Sequence, residues 1–272
     1  MIELFEYAKE IGNSAANYLL NLRQKGLPVH VKSKEDNSPL YNFDLLMDEF
    51  ISTELRKTKF QVISEESYNK EHAINSEYWI VDPIDGSKEI TSQKGKMSIN
   101  ISFIKNNYPV FGVINVINNS DYSFRQYSGL VKNDFQYQSV KREIKKPLKN
   151  LKLITSLYHL NESDRKFIEI NKYHLITRSS SAFKFVEIAL SNNDIYVRFE
   201  GSSEWDTAAG QAIIEANNGK VLCLKTLDRL KYNKPSLRNK PFLAVKQGIE
   251  VTSFNKKSLK IELYESNYFS CR

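Results

Sequence analysis

Two aspartates close together mark the end of a strand-like segment, Tyr78-Trp79-Ile80-Val81-Asp82-Pro83-Ile84-Asp85. The segment begins with aromatic and β-branched residues, which favour a half-buried strand. Pro83 has no N–H to donate, so we expect the strand to end there. Asp82 would then lie at the strand end and Asp85 in the loop beyond it.

The residues after Asp85 favour binding of an anion, whereas the two aspartates favour binding of a cation. Gly86 permits a close approach of backbone, and Ser87 is a typical N-cap of a short helical turn. Carboxylates bind hard cations such as Mg²⁺, whereas free N–H groups at a helix start bind phosphate. The segment therefore predicts a metal-assisted phosphate site. On its own, a D-x-x-D pair is more often a solvated loop, so the prediction depends on other segments.

Further acids follow predicted elements elsewhere in the chain. Glu65 and Glu66 come directly after the strand predicted at 60–64, and we expect two neighbouring strands that end in acids to bring their carboxylates to one sheet edge. Asp44 and Asp206 each fall in the first turn of a predicted helix. Their alternative role is the common one of an acid that stabilises a helix N-terminus.

Hydrophobic periodicity defines the elements that would position these acids. In the first half we predict helices at 2–24 and 42–57, and strands at 29–33, 60–64, 97–104, 110–116 and 122–127. In the second half we predict strands at 151–155, 173–177, 194–199 and 220–224, and helices at 162–170, 182–190 and 204–216. This alternation is typical of α/β structure. We expect an N-terminal α+β lobe at 1–150 with most of the acids and a C-terminal α/β lobe at 151–272.

Composition narrows the functional classes. The chain has 272 residues and a formal charge of +7, and a basic surface steers anions towards a site. Lysines and arginines are scattered apart from Lys141, Arg142, Lys145 and Lys146, which we interpret as a solvated connection, so we expect no nucleic-acid partner. The two cysteines, Cys223 and Cys271, fit a reducing cytoplasm. We expect no transmembrane segment or signal peptide, with peripheral attachment to the inner membrane face as an alternative.

Three motifs together are similar to a known family. Ser64-Glu65-Glu66, Asp82-Pro83-Ile84-Asp85-Gly86-Ser87 and Trp205-Asp206-Thr207-Ala208-Ala209-Gly210 occur in the order and at the approximate spacing of the inositol monophosphatase-like superfamily of metal-dependent phosphatases. The resemblance runs from the first helix to about Val245. It implies a layered αβαβα sandwich, a mixture of α+β and α/β structure, and phosphomonoester hydrolysis that depends on two or three Mg²⁺ ions.

The resemblance also implies roles for individual residues. Its implied metal ligands are the side chains of Glu65, Asp82, Asp85 and Asp206 and the carbonyl of Ile84. Its implied catalytic residues are Asp44, Glu65 and Ser87, which would orient or deprotonate the attacking water. The N–H groups of Gly86 and Ser87 would hold the phosphate.

Two further segments are most similar to the CysQ-type 3'(2'),5'-bisphosphate nucleotidases within this superfamily: Lys34-Glu35-Asp36-Asn37-Ser38-Pro39 and Asp85-Gly86-Ser87-Lys88-Glu89. This branch implies adenosine 3',5'-bisphosphate as the small-molecule substrate, with AMP and phosphate as products. Lys88, Ser181, Lys184 and Arg198 would contact the substrate, together with Asp206, although surface solubility explains the basic residues equally well. The alternatives are an inositol or other sugar-phosphate phosphatase on the same fold, and a non-catalytic basic protein that binds phosphate ligands.

Overall fold

The computed structural model describes residues 1–33, 39–68, 73–90, 96–132, 148, 150–158, 160–180 and 182–265. Residues 34–38 of the polar segment predicted as a turn at 34–39, the basic connection at 141–146 and Ser181 lie outside these residues, whereas Pro39 begins a strand. None of the described helices is long and apolar enough to cross a membrane.

The helices and strands follow the predicted order closely. The helices are α1 (Ile2–Gln24), α2 (Asn42–Arg56), α3 (Glu162–Ile170), α4 (Phe183–Ala189) and α5 (Ala208–Ala216), with a 3-10 helix at Ser87–Ile90. The first seven strands are β1 (Val31–Ser33), β2 (Pro39–Tyr41), β3 (Gln61–Ser64), β4 (Glu77–Asp85), β5 (Lys96–Lys105), β6 (Tyr108–Asn118) and β7 (Ser123–Leu130). The others are β8 (Lys152–Ser156), β9 (Leu175–Ser179), β10 (Ile195–Arg198), β11 (Lys220–Cys223), β12 (Phe242–Val245), β13 (Ile249–Asn255) and β14 (Lys260–Glu265).

The first large sheet has the strand order β3-β4-β5-β6-β7. Only the β3–β4 pair is parallel, and the other neighbours pair antiparallel. Helices α1 and α2 cover one face of this sheet, where their apolar side chains pack around Trp79, Phe103 and Phe111. Each of these three aromatic side chains is fully buried, which gives the sheet a large apolar core on this side.

The second large sheet has the order β11-β12-β10-β8-β9, with β8 parallel to both β9 and β10. Helix α3 packs on one face through Phe167, and α4 and α5 pack on the other. Helix α5 also packs against β6, where a Cβ at Gly112 would lie 2.3 Å from the Ala209 carbonyl oxygen. The layers therefore run helix, sheet, helix, sheet, helix, which confirms the predicted αβαβα sandwich.

Three details of the prediction are wrong. Strand β4 does not end at Pro83 but continues to Asp85, because the register shifts between Asp82 and Asp85 and pairing resumes opposite Ser98. A bulge at this position removes the need for an N–H donor at Pro83. Helix α5 begins at Ala208 rather than at 204. The chain also contains four strands that the hydrophobic pattern did not indicate, namely β2 and, after 224, β12 to β14.

Candidate metal and phosphate site

Three carboxylates converge at one end of the first sheet. Glu65 directly follows β3 and Asp82 lies in β4, and these strands run parallel with Ser64 opposite Val81. Asp206 reaches the same place from the turn that precedes α5. One carboxylate oxygen from each of the three residues lies within 4.8 Å of the others. The prediction that the acids after β3 and in β4 meet at one sheet edge is therefore confirmed.

The electrostatics of this cluster are unfavourable without a cation. Burial, followed by the charges of Glu65 and Asp85, raises the pKa of Asp82 well above its ordinary value. Burial and the same kind of repulsion, from Asp85 and Glu65, raise the pKa of Asp206. For Asp85 burial raises the pKa to about 6, although the charge of Lys184 opposes the shift. The protein has thus concentrated acids whose ionised forms repel one another.

Buried polar atoms around the cluster fit a bound cation with its ligands. Oδ1 of Asp82 has no hydrogen-bond partner among the described residues, and the same is true of the Ser64 and Ser98 hydroxyls. Leaving such atoms unsatisfied in a folded core is costly, so a ligand is expected there. The cluster offers only carboxylate oxygens, which favour Mg²⁺ over metals that prefer nitrogen or sulfur.

The turn after Asp85 has the backbone geometry of a close approach. Gly86 has φ +84°, in the left-handed region that favours glycine. Its carbonyl accepts a hydrogen bond of 2.8 Å from the Glu89 N–H, and the 3-10 helix begins at Ser87, as predicted within one residue. Ser87 is partly exposed and Lys88 is exposed. The N–H groups of this turn and the acids of the cluster are therefore adjacent.

Asp44 lies in the first turn of α2 and is 1% exposed. Its Oδ2 accepts a hydrogen bond of 2.9 Å from the N–H of Tyr41, the last residue of β2. Strand β2 contacts the 3-10 helix. The acid therefore stabilises its helix N-terminus, next to a strand that contacts the 3-10 helix. Its role beside the metal site stays a prediction.

Two of the basic residues predicted to contact the substrate belong to the second half of the chain, one on α4 and one on β10. Lys184 lies in the first turn of α4, and burial lowers its pKa to about 8, although the charge of Asp85 opposes the shift. Arg198 is the last residue of β10, and its positive charge further lowers the pKa of Lys184. The charge of Lys184 thus acts on Asp85, and the charge of Arg198 acts on Lys184. That these two residues bind a second anionic group of the substrate stays a prediction.

The residues that hold the Asp206 turn were missed in the sequence. The fully buried Glu204 carboxylate accepts hydrogen bonds from the N–H groups of Asn233 (2.8 Å) and Lys234 (3.0 Å), and it pairs with Nζ of Lys234 at 2.5 Å. Asn239 donates from Nδ2 to the carbonyl of Ser203 (2.6 Å) and to other oxygens of the turn. No local sequence pattern predicts that Asn233, Lys234 and Asn239 contact this turn, because they lie some thirty residues further along the chain.

A second missed feature was visible in the sequence. Ser98, Asn100 and Ser102 alternate with apolar residues along β5, and all three are buried. Asn100 lies directly opposite Asp82 in the strand register. Small polar residues at every second position of an otherwise apolar strand indicate that one face of the strand borders a polar site.

Comparisons with known proteins agree with this geometry. A model of the inositol monophosphatase family matches residues 2–263. The chain is 33% identical over 223 residues to the 3'(2'),5'-bisphosphate nucleotidase CysQ of Buchnera aphidicola, covering 78% of this chain and 81% of the relative. It is 28% identical over 225 residues to the enzyme of the same name from Escherichia coli K12, covering 78% and 87% of the two chains.

A solved structure leads to the same family. The crystal structure of CysQ from Bacteroides thetaiotaomicron, described as a bacterial member of the inositol monophosphatase family, matches with a TM-score of 0.67 and 27% identity, covering 90% of this chain and 97% of that one. The family match and the CysQ relatives define a phosphatase, and its acid cluster could hold a metal ion. The chain belongs to the inositol monophosphatase family.

The predicted family is thus confirmed, and its extent is corrected. The family match reaches residue 263, whereas the sequence motifs supported the resemblance only to about Val245. The additional residues include the hairpin β13–β14, whose strands pair antiparallel from Ile249 opposite Glu265. Of this region, only 266–272 lies outside the described residues.

Proposed function

We propose that this protein is a Mg²⁺-dependent 3'(2'),5'-bisphosphate nucleotidase that hydrolyses adenosine 3',5'-bisphosphate to AMP and phosphate. The observation that carries the proposal is the convergence of Glu65, Asp82 and Asp206 within 4.8 Å. The buried Lys184 supports it, because its charge interacts with Asp85 and Asp206. The cluster of acids would bind metal ions, and these metal ions would bind one phosphate of the substrate. A separate basic pair provides for another phosphate on the same substrate.

The residues that would hold the metal are the four acids and one carbonyl of the cluster: Glu65, Asp82, Asp85, Asp206 and the Ile84 carbonyl. When bound, two or three Mg²⁺ ions would offset the negative charge of the ester and lower the pKa of the attacking water. The protein contributes carboxylates that are already gathered at the site, so no large rearrangement is needed to build it.

The remaining residues of the site would bind the ester and handle the proton. The N–H groups of Gly86 and Ser87 would donate to the transferred phosphate. The buried Asp44 carboxylate would accept the proton of the attacking water, with the Ser87 hydroxyl orienting that water. Glu65 follows β3 next to Asp82 and would share in this positioning.

The second phosphate of the substrate would bind to Lys184 and Arg198. The charged form of Lys184 is stabilised by Asp85 and Asp206 and destabilised by burial and by Arg198. An anionic ligand between Lys184 and Arg198 would remove the repulsion between these two cations. Lys88 would act from the exposed side of the turn, and Ser181, outside the described residues, would lie beside the nucleoside.

The test compares two substrates. Phosphate release would be measured from adenosine 3',5'-bisphosphate and from inositol 1-phosphate, each with Mg²⁺ and with EDTA. We expect release from the nucleotide to exceed release from inositol phosphate, and we expect EDTA to abolish both. A preference for inositol 1-phosphate would contradict the proposed substrate and favour a sugar-phosphate phosphatase. No metal-dependent release from either would favour a non-catalytic phosphate-binding protein.

A matched pair of variants locates the substrate contacts. Lys184→Met should raise KM for adenosine 3',5'-bisphosphate about tenfold, because it removes a charge-assisted contact, and it should leave KM for inositol 1-phosphate nearly unchanged. Lys246→Met is the control, since Lys246 is a lysine of the second sheet region that pairs with Asp194 at 2.6 Å instead of facing the cluster. An equal rise in KM for both substrates would place Lys184 outside the second-phosphate subsite.

A further inference from the structure

Gly86 and Ser87, whose N–H groups would bind the phosphate, lead into a 3-10 helix that is too short to be stable on its own. This helix spans only Ser87–Ile90, and a single turn of helix gains too few hydrogen bonds to offset the entropy of fixing its backbone. Its N-terminal end continues directly from Asp85 and Gly86. The sheet holds the N-terminal side at Asp85, opposite Ser98. The position of the turn therefore also depends on what anchors the C-terminal end of the helix.

Two side chains from distant parts of the chain form that anchor. Asn119, which follows β6 and is 3% exposed, donates from Nδ2 to the Glu89 carbonyl at 2.7 Å. Arg23, in the last turn of α1, donates from Nη2 to the Ile90 carbonyl at 3.3 Å. Nη1 of Arg23 also donates to Oδ1 of Asn119. Each of the last two carbonyls of the helix thus accepts a hydrogen bond from one of these side chains, and the two side chains are hydrogen-bonded to each other.

The chemistry of the anchor requires these residue types. Arginine has two Nη groups in a rigid planar fork, so one side chain reaches both Asn119 and the Ile90 carbonyl. A positive charge is also favourable beside free carbonyls at a helix C-terminus. The guanidinium lies 5.4 Å from the centre of the Tyr122 ring, which fixes its plane. Lysine would keep the charge and lose the fork.

We propose that Arg23 and Asn119 are positioning residues for phosphate binding: they anchor the C-terminal end of the 3-10 helix and so fix the N–H groups of Gly86 and Ser87. This inference rests on the proposed function, because it takes those N–H groups as the phosphate site. Neither residue belongs to the cluster of Glu65, Asp82 and Asp206. Loss of the anchor should therefore weaken phosphate binding and leave Mg²⁺ binding intact.

The experiment measures binding of the two ligands separately on the full chain. Calorimetric titration would give the Kd of inorganic phosphate in the presence of Mg²⁺ and the Kd of Mg²⁺ alone, for wild type, Arg23→Met, Arg23→Lys and Asn119→Ala. We expect phosphate affinity to fall about tenfold or more in Arg23→Met and Asn119→Ala, since small displacements of binding groups have large effects. Arg23→Lys should lose less, and Mg²⁺ affinity should stay within about twofold.

Arg56→Met is the matched control, because Arg56 occupies the last turn of α2 in the same way and is exposed. Unchanged phosphate affinity in both Arg23→Met and Asn119→Ala would overturn the inference, as would a parallel loss of Mg²⁺ affinity, which indicates general loosening. A wild-type protein that binds phosphate and hydrolyses neither ester would overturn the proposed function alone. The affinities of the variants would then still decide the role of the anchor.

Discussion

Asp82 and Glu204 are two buried acids, 1% and 0% exposed, whose surroundings differ completely. Glu204 accepts two backbone N–H groups and pairs with Lys234. The Asp82 side chain is instead placed among other acids, and its Oδ1 has no hydrogen-bond partner in the described part of the chain. Burial is the same, but only Glu204 is compensated by the protein itself.

The comparison extends to a second acid of the core. Glu215 on α5 is 1% exposed and pairs with Arg229, whose Nε donates to Oε1 at 2.9 Å. Gln211 donates to the same oxygen at 2.9 Å. A buried acid that is fully paired contributes to a defined structure. An acid that is buried without compensation lowers the stability of the ligand-free protein. Such a cost is found at sites where a bound ligand offsets it.

The largest expected effect comes from Asp82→Asn. Loss of a metal ligand removes several kcal/mol of transition-state stabilisation, so kcat should fall about 10³-fold or more. In EDTA the same variant should melt at a higher temperature than wild type, because the amide removes repulsion from Glu65 and Asp85. Kinetics with Mg²⁺ and thermal unfolding with EDTA test both halves.

The control for this variant is Glu49→Gln, which neutralises an exposed acid on α2 and should change neither quantity. An Asp82→Asn protein that melts earlier than wild type in EDTA would place Asp82 with the compensated acids. Full activity of this variant would remove Asp82 from the metal ligands.

Glu204→Gln should have the opposite profile. It leaves the partly buried Lys234 without its charged partner, and breaking a largely buried pair in this way costs about 3 kcal/mol of unfolding free energy. The loss should be the same with Mg²⁺ and with EDTA, because Glu204 does not belong to the acid cluster. Denaturant unfolding in the two conditions measures it.

The comparison variant is Glu77→Gln, which breaks the surface pair with Lys105 and should have a much smaller effect. If Mg²⁺ restored the stability of Glu204→Gln, the distinction between the two kinds of acid would be lost.

The sequence predicts the elements better than it predicts this distinction. Periodicity gave α1 and α3 with their observed bounds, because each has a long apolar stripe or a clear N-cap. The acids of the site were identified because their three motifs occur in the order and at the approximate spacing of the superfamily. Their compensated counterparts were not, since Glu204 depends on Asn233 and Lys234, which come together with it only in the folded chain.

The errors have equally local causes. The helix predicted from 204 begins at Ala208 because Ser203 and Asp206 close a turn first, with the Ser203 N–H donating to Oδ2 of Asp206 at 2.6 Å. Strand β4 passes Pro83 because a register shift spares the missing donor. In both cases a side-chain or backbone contact of the site overrides the propensity of the segment.

The raised pKa of Asp85 gives a pH test of the acids at the site. Its folded-state pKa is raised from 3.8 to about 6, first by burial. Between these values the folded protein binds more protons than the unfolded chain, so the metal-free protein should lose stability as pH rises from about 4 to about 6. Mg²⁺ requires the ionised acids, so its apparent affinity should fall below about pH 6, by up to about tenfold per pH unit for each proton displaced.

Mg²⁺ titrations and EDTA melting curves at about pH 5, 6 and 7 would measure both trends. We expect the stability of the metal-free protein to fall and the affinity for Mg²⁺ to rise as the pH increases. These opposite trends are expected of buried acids whose charge is offset by a bound metal ion. A metal-free protein whose stability rises over this interval would show that Asp85 is stabilised by the protein, in the manner of Glu204.

The smallest effect concerns Lys184, the buried cation that faces the uncompensated acids. Burial lowers its pKa from 10.5 to about 8, against the opposing charges of Asp85 and Asp206. As pH rises through about 8 the cation is lost, and KM for adenosine 3',5'-bisphosphate should rise about three- to tenfold by about pH 9. The stability of the free protein should change in the other direction. Between about pH 8 and the unfolded value of 10.5 the unfolded chain binds the additional proton, so folding becomes more favourable as pH rises.

Lys184→Arg, which stays charged, should abolish the rise in KM, and inositol 1-phosphate should show no rise with either protein. A lysine that only stabilised the fold through an ion pair would lose stability over this interval. Weaker nucleotide binding together with greater stability at high pH would therefore show that the positive charge of Lys184 serves to bind the substrate.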